Sequence, residues 1–196
     1  MIAEATRRSA LADYAERFTT LYETTGGSLS IRELQLLAQL NLRVDAADAA
    51  VMGRLSDSLG FALPLTPNTV NLAGDRRALW LGPDEWLVVG PADQAASLEQ
   101  ALGYGLAEAF GSVVDVSANR TVLEIRGPSA RDVLAHGVPI DLDPRSFGAN
   151  RCAQTLLAKA QVIIEHRGDE GAFQVYVRSS FASYVAEWLL DVAITL

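Results

Sequence analysis

Apolar residues at Leu11, Tyr14, Phe18 and Leu21 recur at helical spacing, which predicts an amphipathic helix over residues 9 to 22. Thr24-Thr25-Gly26-Gly27-Ser28 breaks that period and reads as a short linker. The pattern then changes to alternation. Gln39 to Val44 is expected as a strand, and Asp45 as the cap of a helix carrying Val51, Met52, Leu55 and Leu59 on one face and closing at Gly60. A Pro-rich connection, Leu63 to Asn68, leads to strands at Thr69–Leu72 and Ala78–Leu81. Gly82-Pro83-Asp84-Glu85 makes a tight turn into Trp86–Val89, and Pro91 opens a helix predicted to reach Phe110.

Ser112–Val116 bridges to a second unit in the same order. Thr121–Arg126 is its strand, and Pro128 starts a short helix with Ala130, Val133 and Leu134 inward and Gly137 past its end. After the connection Pro139–Phe147 come strands Cys152–Leu157, Gln161–His166 and Phe173–Arg178. Ser180 is expected to cap a last helix with Phe181, Tyr184, Val185, Trp188 and Val192 on one stripe. The fold class expected is α+β: two β-α-β-β-α repeats, about 29–111 and 112–196, with antiparallel-rich sheets and helices on one side. Halves of this size bury their apolar faces poorly alone, so they are expected to pack as one body behind the N-terminal helix and linker of residues 1–28.

Composition sharpens the picture. The 196 residues are 49% hydrophobic and 20% charged, with a mean hydropathy of +0.16. No apolar run approaches the roughly 18 residues a membrane helix needs. Part of the apolar excess is therefore expected to be covered by another protein chain. A net charge of −8 argues against nucleic acid, whose backbone demands Lys and Arg. One cysteine, Cys152, excludes an internal disulfide and fits a reducing compartment. The mixed charges of the first 18 residues do not form a secretory leader, so the cytoplasm is the expected location.

Candidate chemistry is sparse. Ser129, Asp132 and His136 share a helix face, but catalytic sets are assembled from separate elements around a substrate, and His136 beside Gly137 suits a helix C-terminus. Neither histidine nor lysine frames Cys152 as a nucleophile, and a buried thiol is its expectation. One Cys and two distant His make no zinc set. Gly103-Tyr104-Gly105 lacks the third glycine of a dinucleotide loop and is expected to interrupt a helix. The acidic pairs Asp84-Glu85 and Asp169-Glu170 fall in hairpin turns, where acids are solvated. Arginines 76, 77, 120, 126, 131, 145 and 151 and the tryptophans flanking the first hairpin turn favour an interface. The interface candidates are Trp80, Trp86, Arg120, Arg145 and Phe147; no catalytic, cofactor or metal residue is assigned.

Several segments carry a family resemblance. They are Thr66-Pro67-Asn68-Thr69, the run Arg76 to Leu87 (RRALWLGPDEWL), Asp115-Val116-Ser117 with Asn119-Arg120-Thr121, and Gly127 to Leu134 (GPSARDVL). Asp141 to Gly148 (DLDPRSFG), Arg151 to Leu156 (RCAQTL), Val177 to Phe181 (VRSSF) and Trp188-Leu189-Leu190 complete the set. Over residues 29 to 192 the chain resembles the gamma subunit of heterotetrameric sarcosine oxidase. That resemblance implies a fold related to the glycine-cleavage T-protein. It implies a complex that oxidises sarcosine to glycine, making hydrogen peroxide, and methylenetetrahydrofolate when tetrahydrofolate is present. FAD, FMN, NAD and zinc would sit in other subunits, and the alpha, beta and delta subunits, chiefly alpha, would be the partners. T-protein-like relatives that bind folate carry Lys-Gly-Cys-Tyr-x-Gly-Gln-Glu; the nearest stretch here, Asn150 to Thr155, keeps only Cys152. Two rivals stand beside this reading: the equivalent subunit of an N-methylglutamate dehydrogenase, and a stand-alone folate-binding protein. An independent enzyme is a third.

Overall fold

Ten strands and five α-helices form in the computed structural model, which describes residues 9–168 and 171–195. In chain order they are α1 (Ala15–Thr24), β1 (Ser30–Leu34), β2 (Ala38–Val44), α2 (Ala49–Leu59), β3 (Val70–Ala73), β4 (Arg76–Gly82), β5 (Glu85–Gly90), α3 (Ala95–Leu106) and β6 (Gly111–Asp115). β7 (Arg120–Arg126), α4 (Ala130–Ala135), β8 (Arg151–Leu157), β9 (Ala160–His166), β10 (Phe173–Arg178) and α5 (Ala182–Thr195) follow. The expected α+β class holds, but the five-element repeat does not describe it. Each half runs β-α-β-β-β-α, because three strands separate the two helices.

Both sheets are antiparallel throughout and share one order. The first is β3-β4-β5-β2-β6 and the second β8-β9-β10-β7-β1. The outermost strands are exchanged: β1 precedes the first half yet pairs with β7 in the second sheet, while β6 pairs with β2.

Three apolar layers explain the stacking. α2 and α3 cover the outer face of the first sheet, around Leu40, Leu42, Leu55, Trp86, Val88 and Leu102. α1, α4 and α5 cover the outer face of the second, around Phe18, Ile31, Leu123, Ile125, Phe173 and Leu189. The inner faces meet over Val70, Leu79, Leu87, Val122, Cys152, Ile163 and Tyr176. Period-two alternation puts opposite side chains of each strand into different layers, so strands such as β5 are apolar on both faces.

Several boundaries differ from the sequence reading. Asp48, not Asp45, caps α2: its Oδ1 accepts the N–H groups of Ala50 and Val51, both at 3.1 Å. Asp45 instead accepts from Ala47 N–H at 2.9 Å, one turn upstream. Gly60 ends the helix as expected, at φ 82°. α3 starts after a 3-10 turn (Ala92–Gln94) and ends at Leu106, short of Phe110, whose ring is fully exposed. Gly103-Tyr104-Gly105 does not interrupt it. Gly105 lies against α2, where a Cβ would stand 3.0 Å from Leu55 Cδ2, so the glycine permits close helix approach.

α5 turns its small residues inward. Ala182, Val185, Ala186, Leu189, Leu190 and Ala193 are buried, whereas Phe181 and Tyr184 are exposed and meet edge to face. The alanines bring the helix closer to the sheet than an aromatic stripe would allow. α1 docks on its own chain: Phe18 and Leu21 enter the second outer core, and Arg17 and Tyr14 both bind the Glu187 carboxylate on α5. Asp169 and Glu170, read as solvated turn acids, lie outside the described residues.

The loop after β7 shows how closely the elements approach. Gly127 has φ 110°, and a Cβ there would lie 2.3 Å from the carbonyl oxygen of Ser28. Gly127→Ala is expected to destabilise the fold by at least about 2 kcal/mol, combining left-handed strain with backbone collision. Urea unfolding of the variant beside the native chain checks it; equal midpoints would contradict the close approach.

Candidate functional site

Polar side chains gather at two places between the sheets. The buried one joins β4 to β9 and β10. Arg77 extends one guanidinium nitrogen to Gln174 Oε1 at 3.1 Å and lies 3.7 Å from Glu165 Oε1. Tyr176 donates to the other Glu165 oxygen at 2.7 Å, and its Oη lies 2.9 Å from Gln174 Oε1. Arg167 closes the cluster on Glu165 at 3.3 Å. Burial raises the Glu165 pKa, against the opposing pull of Arg77 and Tyr176. Burial likewise holds the Tyr176 hydroxyl well above its ordinary range. Glu165 and Tyr176 are almost wholly buried. The cluster ties the two sheets together.

Cys152 belongs to the same layer. Its thiol faces the carbonyls of Thr69 and Trp80 at 3.5 and 3.6 Å, and burial pushes it up to about 12. A thiolate is the nucleophilic form, so this thiol is inert at neutral pH. His136 ends α4, with Nδ1 2.8 Å from the Asp132 carbonyl oxygen, and does not meet Ser129 in a catalytic arrangement. His166 is buried and stacked on Phe173 with ring centroids 4.8 Å apart. Among the described residues, no three His, Cys, Asp or Glu side chains converge as a metal set.

The five interface candidates differ in burial. Trp86 has 0% exposure, sits in the first outer core and donates its indole N–H to the Pro64 carbonyl at 2.8 Å. Phe147 is buried in the other outer core. Both rings are interior in this chain and pack its two outer cores. Sequence reading saw aromatics beside turns without seeing which face of the turn was covered. Trp80 is half-buried against the first core. Arg145 is exposed at the Asp141–Gly148 turn and is bidentate to Asp143, at 2.9 and 3.1 Å.

Arg120 lines a cleft of about 490 Å³ with Gln154, Leu156, Gln161, Tyr176 and Arg178. Arg178 is not among the interface candidates that the sequence offers. Only strand register reveals that it stands opposite Arg120. A second opening, a groove of about 880 Å³ between α1 and α5, is rimmed by Glu16, Arg17, Leu190, Asp191 and Ile194.

Comparison with known proteins adds what geometry alone does not carry. The family model described as sarcosine oxidase, gamma subunit family, matches residues 43–195. The chain belongs to the sarcosine oxidase gamma subunit family. Sarcosine oxidase subunit gamma from Corynebacterium sp. (strain P-1) is 36% identical over 171 residues, covering 86% of this chain and 81% of that protein. The namesake from Arthrobacter sp. is 37% identical over 169 residues, with coverages of 86% and 81%. A chain of the heterotetrameric sarcosine oxidase from Corynebacterium sp. U-96, solved in complex with pyrrole 2-carboxylate, superposes with a TM-score of 0.86 at 31% identity. That match covers 96% of this chain and 95% of the other.

These relatives favour neither an N-methylglutamate dehydrogenase subunit nor a stand-alone folate binder. The glycine cleavage system aminomethyltransferase T from Bartonella henselae superposes at TM-score 0.63 and 18% identity over 83% of this chain. At that identity the likeness is one of fold alone: this chain has a T-protein-like architecture.

Two outcomes test the interior assignments. Trp86→Ala is expected to cost the isolated gamma-family chain about 3–5 kcal/mol of stability. A loss seen only in assembly, with the free chain's melting unchanged, would return Trp86 to an interface. Glu165→Leu is expected to cost about 3–5 kcal/mol by stranding Arg77, and the double variant Glu165→Leu/Arg77→Met should recover much of that loss. Additive losses in chemical denaturation would show that the pair does not join the sheets.

Proposed function

We propose that this chain is the non-catalytic gamma subunit of a heterotetrameric, flavin-dependent sarcosine oxidase. The complex converts sarcosine to glycine and hydrogen peroxide, and forms methylenetetrahydrofolate when tetrahydrofolate is present. This chain packs on the other subunits, chiefly alpha, and stabilises their assembly; FAD, FMN, NAD and zinc are held by those subunits. The observation that carries the reading is the end-to-end match, at TM-score 0.86, to a chain of a heterotetrameric sarcosine oxidase.

The chemistry of the interior supports a scaffold. Its thiol, its most buried carboxylate and its buried tyrosine are neutralised or paired by desolvation and neighbouring groups, which is how a fold uses polar residues as struts. Exposed apolar side chains are consistent with surfaces that partners cover: Tyr104, Phe110 and Ile194 are each largely solvent-facing.

The test is purification through a tag on this chain from its native host, with subunit masses and a visible spectrum of the eluate. A yellow eluate containing a large, a medium and a small chain beside this one is expected, and sarcosine should bleach the colour. A colourless chain recovered alone would overturn the proposal.

A further inference from the structure

Arg120 on β7 and Arg178 on β10 are directly paired in register. Both line the same 490 Å³ cleft, on the part of the second sheet's inner face that the first sheet leaves open. Like charges directly across a strand pair are destabilising. Burial and then the charge of Arg178 both lower the Arg120 pKa, so the guanidinium is held where its charge is disfavoured.

Among the described residues, no ion pair joins either arginine to an acid. Glu85 is the acid whose charge reaches Arg120, but Asn41 binds it at 2.7 Å and Arg43 pairs with it at 3.4 Å. The rest of the cleft wall supplies the uncharged Gln154, Gln161 and Tyr176 with Leu156 exposed at the rim. Two adjacent forks of N–H donors thus face an opening whose walls offer no anion.

We propose that this cleft is a carboxylate-binding site, occupied by an Asp or Glu side chain of another subunit that Arg120 and Arg178 grip together. The inference rests on the subunit reading and names the chemistry of one contact within it. Guanidinium groups bind carboxylates through paired, charge-assisted hydrogen bonds, and the anion removes the repulsion between the two cations. The overall charge of −8 argues for this source over a free anion. At long range the chain repels small carboxylates, whereas an acidic side chain on a docked partner is delivered by the rest of the interface.

The experiment uses the assembled complex and two charge-removing variants, Arg178→Gln and Arg120→Gln. Dissociation of the tagged chain from its subunits is followed by subunit mass against dilution. Each variant is expected to raise the dissociation constant about tenfold or more. The free Arg178→Gln chain should melt no lower than the native chain, because a repulsion has been removed; a purely structural arginine would instead lower it. Variants that assemble like the native chain would overturn the inference while leaving the subunit reading intact. A native chain that recovers no subunits would overturn the subunit reading itself. Titration of the isolated chain with sodium malonate provides the remaining arm. Millimolar binding that Arg178→Gln abolishes, with assembly unchanged, would assign the site to a free small carboxylate and overturn the partner occupant.

Discussion

The seam between the two sheets is the constraint on which the rest of the structure depends. Asn68 and Asn150, both left-handed at φ 60° and 58°, precede β3 and β8, the corresponding edge strands of the two sheets. From there the backbones cross-pair: Val70 N–H donates to Asn150 O at 2.9 Å, and Cys152 N–H to Asn68 O at 3.0 Å. Two edges that would otherwise be bare satisfy each other at that point. The Arg77–Glu165–Tyr176 cluster and the apolar layer from Val70 to Tyr176 then fill the space between the sheets.

That seam also accounts for the scarcity of chemistry. A carboxylate, a phenol and a thiol lie between the sheets, and in an open cleft they could do acid–base or nucleophilic work. Here they are desolvated and braced by Arg77, Arg167, Gln174 and backbone carbonyls. Buried ion pairs give modest net stability but heavily penalise a misregistered sheet, because every shift strands a charge. Their value to a subunit is a rigid inner layer whose outer surfaces stay available for docking.

Much of the architecture was legible along the chain. Short alternating or apolar runs bounded by turn residues located all the strands from β2 to β10 except for their ends, and helical periodicity with cap and proline signals located all five helices. β1 was invisible because Ser30–Leu34 is short and only Ile31 is buried, too little to establish a period. The cap of α2 was misplaced because Asp45 and Asp48 are both competent acceptors, and only the direction of the core selects between them. The burial of the interface candidates was not legible. An aromatic beside a turn looks the same in sequence whether its face is covered or open, so Trp86 and Phe147 were indistinguishable from surface anchors.

The sequence by itself determined the element types and the family, because these depend on local periodicity and on residues kept in order along the chain. Only the tertiary structure decided which sheet receives β1 and β6, which side chains lie in which of three layers, and that Arg178 faces Arg120. Those outcomes depend on pairing between segments tens of residues apart. Strand register and face, which local pattern does not encode, set which groups meet there.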